Sequence, residues 1–196
     1  MQYDLGALGP VDQAGPWEMQ STCSPTAKPG VVAFAAWVTS QLGGKTINIV
    51  RPCEVGGRSE HKEGRAWDWG VRADSEADAA KAKALLDWLT LPDAQGVPAG
   101  NARRAGILYI IWDRQIWNVR DQAWKPYSGA SAHTDHVHFS FTWPGARAET
   151  TFYKWLGLAR PTVAGGLSGL GMAATAAIGF GVGFQLFSGA VRRWGR

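Results

Sequence analysis

Two short motifs dominate this chain: Ser59-Glu60-His61-Lys62-Glu63-Gly64-Arg65-Ala66-Trp67-Asp68 and, further along, Asp135-His136-Val137-His138. They supply imidazole nitrogens and carboxylate oxygens, which are donor atoms that zinc accepts. We expect His61, Asp68 and His138 to bind one Zn²⁺ ion and to leave a fourth position open for water. The spacing of the first two ligands does not suit one helical face. It indicates a loop that enters a strand, with Gly64 permitting the turn.

The first motif resembles the signature S-x-H-x-x-G-x-A-x-D of the zinc DD-peptidase and endopeptidase superfamily, which cuts bacterial cell-wall peptides. Every fixed position matches: Ser59, His61, Gly64, Ala66 and Asp68. Residues 110–117 and 133–140 are similar to an actinobacterial and phage branch of that superfamily. The resemblance covers roughly residues 51–141. It implies a hedgehog/DD-peptidase-like fold, a zinc cofactor and peptidoglycan peptides as substrate.

Peptide hydrolysis also needs a group that takes a proton from the attacking water and passes it to the leaving amine. Asp135 lies where dipeptidases and phage endopeptidases of the superfamily carry an acid, and His136 lies where lysostaphin-like relatives carry a histidine. We favour Asp135 as the base, with His136 bonding the oxyanion or the substrate. The reverse assignment, and an orienting role for Asp135 beside a ligand imidazole, stay open.

The resemblance also implies a substrate-binding arginine before the first ligand, because a guanidinium can bind a carbonyl or carboxylate with two hydrogen bonds. Arg51 is the first candidate and Arg58 the competing one, and an ordinary surface charge is the alternative for Arg51. Ser59, at the start of the motif, is a further candidate substrate contact. His133 is expected to line the pocket or to be structural.

Hydrophobic and polar periodicity predicts an α+β domain with a small antiparallel sheet and flanking helices. Helices are expected over residues 30–42, 75–91 and 149–156, the second beginning with a capping box at Ser75. Strands are expected over residues 46–51, 66–71, 106–112, 115–119 and 136–143, with a second turn near Pro126. Residues 91–104, which hold two prolines and two glycines, are predicted to form a loop.

The chain divides into four parts: an N-terminal loop region (1–28), the peptidase domain (29–160), an apolar glycine-rich segment (161–191) and a basic end (192–196). Residues 161–191 carry no charge, and a bilayer-spanning helix needs about twenty apolar residues. We expect a C-terminal apolar helix that enters a membrane or associates with copies of itself through G-x-x-x-G faces. A flexible or packing segment is the alternative.

Charge and cysteine content bear on the compartment and the partners. The net charge of +4 without a dense basic run favours an anionic wall or membrane surface over nucleic acid. Cys23 and Cys53 have no C-x-x-C partner, and a disulfide between them is favoured if the protein works outside the cytoplasm. No signal peptide is visible at the N-terminus.

Two classes of function follow from these features. The first is a zinc peptidase acting on peptidoglycan as a phage lysin or tail-associated protein, located in the virion or in the host cell envelope, with phage tail proteins as partners. The second is a virion or envelope structural protein that keeps the zinc fold without turnover. An open three-ligand site favours the first class, because structural zinc sites usually close with a fourth protein ligand.

Overall fold

Six antiparallel strands form a single sheet in the computed structural model, which describes residues 9–158. Along the sheet the strands lie in the order β1-β2-β6-β3-β4-β5. Strands β2 and β6 are therefore neighbours near the middle although about seventy residues separate them in the chain. The strands are β1 (Lys45–Asn48), β2 (Ala66–Gly70), β3 (Ile107–Trp112), β4 (Gln115–Asn118), β5 (Trp124–Pro126) and β6 (Val137–Phe141).

Alternation along β2 and β6 gives the sheet two chemically different faces. Trp67 and Phe139 are cross-strand partners whose rings stack 5.4 Å apart on the apolar face. Asp68 and His138 are also cross-strand partners, and their side chains point to the opposite face. The same two strands thus supply core aromatics on one side and two of the candidate metal ligands on the other.

Helices cover the apolar face of the sheet. Phe34 on the first helix is fully buried and packs edge-on against Trp67, Phe139, Phe141 and Phe152. This aromatic cluster anchors the helices to the middle of the sheet. The helices are α1 (Pro29–Leu42), α2 (Glu76–Thr90), α3 (Gly100–Ala105), α4 (Trp143–Ala146) and α5 (Thr151–Trp155), and Glu60–Glu63 form a 3₁₀ helix.

The α+β class and the antiparallel sheet are confirmed, with local differences. Ser75 caps α2 as predicted, its Oγ accepting the backbone N–H of Asp78. The prediction of a loop over residues 91–104 was wrong at its end, where α3 begins at Gly100. Arg104 of that short helix is held by Asp93, with 2.6 Å between Nη1 and Oδ2. Tertiary contact therefore stabilises a helix that local sequence does not indicate.

Several boundaries also differ from the sequence-based expectation. Strand β1 ends at Asn48, so Arg51 lies in the loop that follows it. Strand β6 begins at Val137, and the residues after Phe141 turn into α4, since Pro144 suits the first turn of a helix. Pro126, where a turn was predicted, instead lies in the short edge strand β5 and is the cross-strand partner of Gln115.

Residues 9–28 contain no helix or strand, yet they are attached to the domain at several points. Cys23 and Cys53 form a disulfide. The backbone N–H of Ser24 donates to the Lys62 carbonyl, and that of Lys28 donates to the Gly64 carbonyl. The N-terminal segment is thereby fixed against the first motif.

The predicted apolar segment and basic end lie outside the described residues. Within residues 9–158, no helix combines the length and the apolar character that crossing a bilayer requires.

Candidate metal centre

The 3₁₀ helix and the turn after it carry the first candidate ligand to the sheet. Ser59 is the N-cap, and its Oγ accepts the backbone N–H of His61 at 3.4 Å. Gly64 ends the turn in the left-handed conformation with φ of 66°. A Cβ atom there would lie 1.9 Å from the Thr26 carbonyl oxygen. The glycine of the motif is thus required both by its backbone angles and by the close approach of the N-terminal segment.

Three donor atoms converge on one point at the polar face of the sheet. Asp68 Oδ1 lies 3.1 Å from His61 Nε2 and 2.9 Å from His138 Nδ1. All three side chains are buried, and the potential ligand atoms lie within 4.8 Å of one another. The structure therefore brings together the three residues that the sequence predicted as ligands.

The donor set fits a zinc ion. Donor atoms about 2.0–2.2 Å from a tetrahedral zinc lie roughly 3.3–3.6 Å apart, so the measured separations of 3.1 and 2.9 Å must widen by a few tenths of an ångström to admit the ion. Burial raises the pKa of Asp68, but the hydrogen bonds from His138 and His61 outweigh it and hold that pKa well below its usual range. Burial lowers the pKa of His138. These shifts favour an ionised carboxylate and a neutral His138 imidazole, which are the metal-binding forms.

A second layer of contacts fixes which ring nitrogen faces the centre. His61 Nδ1 donates to the Ile49 carbonyl at 3.0 Å, which leaves Nε2 as the free donor atom. His138 Nε2 lies 2.9 Å from Ser140 Oγ, which leaves Nδ1 toward Asp68. Metal-binding histidines commonly hold their other nitrogen in this way. Both imidazoles are therefore preset for coordination.

The contacts beyond His138 reach a buried carboxylate. Tyr109 stacks on the His138 ring with 5.5 Å between centroids, and its hydroxyl donates to Glu60 Oε2 at 2.5 Å. Burial is the main cause that raises the pKa of Tyr109 well above its usual range. The phenol therefore stays protonated and can donate. Sequence reasoning missed Tyr109 and Glu60, because nothing in their local pattern distinguishes them from an ordinary strand residue and an ordinary surface acid.

Two buried charged residues of the first motif pair with each other and bind the N-terminal segment. Glu63 and Arg65 are both fully buried and pair at 2.6 Å between Oε2 and Nε. Burial raises the pKa of Glu63, but the backbone N–H groups of Ser21 and Thr22, together with Arg65, outweigh it and lower the pKa. The variable positions of the motif thus hold the N-terminal segment in place.

Asp135 and His136 form a pair beside the three ligands. His136 Nδ1 donates to Asp135 Oδ1 at 2.8 Å, and His136 Nε2 lies 3.7 Å from Asp68 Oδ1. The Asp135 side chain is 66% exposed, whereas that of His136 is 17% exposed. His136 is thus the member of the pair that faces the centre, and Asp135 contacts its outer nitrogen.

His133 completes a cluster of imidazoles. Its ring centroid lies 4.8 Å from that of His136 and 5.7 Å from that of His138. His133 Nδ1 donates to the Ser131 carbonyl at 2.8 Å. Burial is the main cause that lowers the pKa of His133 to about 4. His133 is therefore a neutral residue beside the centre, in the pocket-lining position that the sequence suggested.

A cleft of about 500 Å³ opens above the three donor atoms. Arg51, Arg58 and Ser59 line it together with the candidate ligands and His136. The Arg51 backbone N–H donates to the His61 carbonyl, which places this arginine next to the first ligand. Both arginines are thus placed where they could contact a substrate. Ser59, the third predicted substrate contact, caps the 3₁₀ helix with its hydroxyl.

Two residues of the cleft were not anticipated from the sequence. Trp17 and Met19, from the N-terminal segment, also line it. The segment was predicted as a loop, and no local pattern indicates that a loop returns to a distant site. Only the disulfide between Cys23 and Cys53 pointed in that direction.

Comparison with known proteins identifies one family. A model of the VldE C-terminal domain matches residues 23–138, from the first disulfide cysteine to the last candidate ligand. No curated protein and no solved structure gives a significant match. Because the family match covers more than half of the chain, the chain belongs to the VldE C-terminal domain family.

Proposed function

We propose that the chain is a zinc peptidase that hydrolyses peptide bonds of bacterial peptidoglycan, with a hedgehog/DD-peptidase-like fold. The observation that carries the proposal is the convergence of His61, Asp68 and His138 at the floor of an open cleft. Three protein ligands with an accessible fourth side are typical of catalytic zinc sites. The match of the first motif to the peptidase signature supports the substrate class.

Each of the nearby side chains has a distinct task in this proposal. A bound zinc ion supplies a Lewis acid that polarises the scissile carbonyl and acidifies a water molecule. His136 accepts the proton through Nε2 and returns it to the leaving amine, because this nitrogen faces the centre. Asp135 holds Nδ1 and thereby fixes the ring and its tautomer. The sequence favoured Asp135 as the base, and that assignment remains the alternative to be tested.

The arginines provide positive charge at the edge of the same cleft. We assign to Arg51 or Arg58 the binding of a substrate carboxylate or carbonyl, since both line the cleft that contains the donor atoms. Peptidoglycan stem peptides carry free carboxylates. A cationic edge beside the reacting centre therefore suits this class of substrate.

The location proposed for this activity is outside the cytoplasm, in a phage particle or in the host cell envelope. The disulfide between Cys23 and Cys53 supports it, since disulfides persist in oxidising compartments. Association with phage tail proteins, and membrane binding or self-association through residues 161–191, stay predictions. That segment lies outside the described residues.

The proposal is tested on purified peptidoglycan fragments. The full chain is incubated with muropeptides in the presence of zinc or of a strong chelator, and the products are identified by mass spectrometry. We expect a new amine and a new carboxylate at one defined bond, lost with chelator and lost in His138→Ala. Unchanged muropeptides with the zinc-loaded chain would contradict the proposal.

A further inference from the structure

The N-terminal segment forms one side of the cleft in an ordered way. Exposure alternates along it, with Trp17 and Met19 exposed and Glu18 and Gln20 half-buried. This alternation is that of an extended chain whose neighbouring residues face opposite directions. The outward pair lines the cleft, and the inward pair contacts the first motif.

Hydrogen bonds from the first motif hold the segment at both inward residues. The Glu18 carbonyl accepts from Arg65 Nη2 at 2.7 Å. The Gln20 backbone N–H donates to Glu60 Oε1, and its side-chain oxygen accepts the Ser59 N–H. The segment is therefore positioned by the same turn that carries the first candidate ligand.

Two further anchors follow immediately along the chain. The N–H groups of Ser21 and Thr22 both donate to Glu63 Oε1, at 3.0 and 2.9 Å. Cys23 is then tied covalently to Cys53. Buried charges and a covalent bond already hold this loop in place. A ligand that binds its outward side chains therefore causes little further loss of conformational entropy.

The outward side chains offer an apolar surface that residues 9–158 leave partly exposed. Trp17 is 37% exposed and its ring centroid lies 5.7 Å from that of Tyr109. Met19 is 41% exposed. Large apolar side chains that remain exposed in a cleft are typical of ligand contact rather than of core packing. Arg51 and Arg58 line the same cleft, so the cleft offers both apolar and cationic groups.

We propose that Trp17 and Met19 form a substrate-binding subsite for the aliphatic side chains of the stem peptide. This inference rests on the proposed peptidase function and names the part of the substrate that the N-terminal segment binds. A stem peptide carries methyl and methylene groups together with carboxylates, which matches the two chemistries of the cleft. The disulfide and the Glu63 contacts hold the subsite in position.

The test separates binding from chemistry. Trp17→Ala and Met19→Ala are expected to raise KM for a free stem peptide about five- to thirtyfold, with kcat and zinc content unchanged. Leu91→Ala, which shortens an exposed aliphatic side chain outside the cleft, is the matched control and should leave KM unchanged. Met19→Ala keeps the Trp17–Tyr109 contact, so it reports on the subsite even if Trp17→Ala unfolds.

Removal of the disulfide provides a second test of the same surface. The double variant Cys23→Ser, Cys53→Ser should raise KM in the same direction while retaining the metal, because the segment loses its covalent anchor. If the free stem peptide shows unchanged KM in both single variants, the subsite assignment is wrong. It is also wrong if only muropeptides bearing the amino sugar lose affinity, since the sugar then occupies the surface. Absence of hydrolysis by the unaltered chain would instead contradict the peptidase function itself.

Discussion

Asp68 lies directly opposite His138 on the neighbouring strand, and its Oδ1 atom is 2.9 Å from His138 Nδ1. The register of β2 against β6 thus places a carboxylate and an imidazole side by side without any loop contribution. A shift of this pairing by one residue would bring Trp67 or Trp69 opposite His138. The Asp68 side chain would then point into the aromatic core. The candidate metal centre and the core are therefore specified by the same strand pairing.

The tautomer of His138 is expected to depend on Ser140. Ser140→Ala removes the partner of Nε2 and should weaken zinc affinity about 10- to 100-fold, as for other outer partners of metal ligands. Affinity is measured by competition with a chromogenic chelator. Ser40→Ala on α1, whose hydroxyl donates to the Trp37 carbonyl and accepts from the Gln41 side chain of the same helix, is the matched control. Equal zinc affinity in the two variants would show that Ser140 does not position the ligand.

His136 is expected to be the proton acceptor. His136→Ala should retain zinc and lose about 10²- to 10⁴-fold in kcat, the usual contribution of a general base. Asp135→Ala, which removes only the partner of Nδ1, should lose less. Steady-state rates and metal content are measured on both variants. A larger loss in Asp135→Ala, with His136→Ala still active, would restore Asp135 as the base.

The motif glycine is expected to be indispensable for stability. Gly64→Ala places a Cβ atom 1.9 Å from the Thr26 carbonyl oxygen. It also forces a left-handed alanine, which by itself costs about 1–2 kcal/mol. We expect a loss in the free energy of unfolding larger than that figure, measured by denaturant titration. Gly57→Ala has open space around its Cβ and serves as control, so equal losses in both variants would refute the steric explanation.

Acid should destabilise the fold through Asp93. Burial raises the pKa of Asp93, but hydrogen bonds from Arg104 and from the backbone of Val97 and Gln95 outweigh it and lower the pKa below that of the unfolded chain. The stabilisation is therefore complete above about pH 4, near the unfolded pKa, and is lost as the pH falls through the folded pKa.

The variant Asp93→Asn isolates this contribution. It should remove part of the acid dependence and cost about 3–5 kcal/mol at neutral pH, because Arg104 stays buried without its partner. Asp74→Asn breaks an exposed ion pair that solvent screens, so it should change stability far less than Asp93→Asn. Thermal unfolding from pH 3 to 7 is the measurement. If Asp93→Asn and the unaltered chain show the same dependence of stability on pH, Asp93 is not a cause of the acid destabilisation.

Much of the sheet and the ligand set could be predicted from local pattern. Alternating aromatic and polar residues in β2 and β6 identify both strands, and the motif spacing identifies His61, Asp68 and His138. Ser75 and the residues after it predicted α2 by capping chemistry alone. These features depend on neighbours in the chain, so the sequence is sufficient for them.

Features that depend on distant contacts could not be predicted in the same way. Charged residues are rarely buried, so no local pattern indicates that Glu63 and Arg65 lie beneath the N-terminal segment, as the structure shows. Helix α3 depends on the ion pair between Arg104 and Asp93. The cleft position of Trp17 depends on the anchoring of a segment without secondary structure. In each case the determining partner is remote in sequence.

The central claim is that one zinc ion held by His61, Asp68 and His138 supports hydrolysis of a peptidoglycan peptide bond. The most direct measurement titrates the metal-free chain with zinc while bound metal and new amino groups from muropeptides are followed together. We expect both to saturate at one ion per chain, with neither signal in Asp68→Asn and both in the surface control Asp87→Asn. Stoichiometric zinc without new amino groups, or hydrolysis by the metal-free chain, would contradict the account.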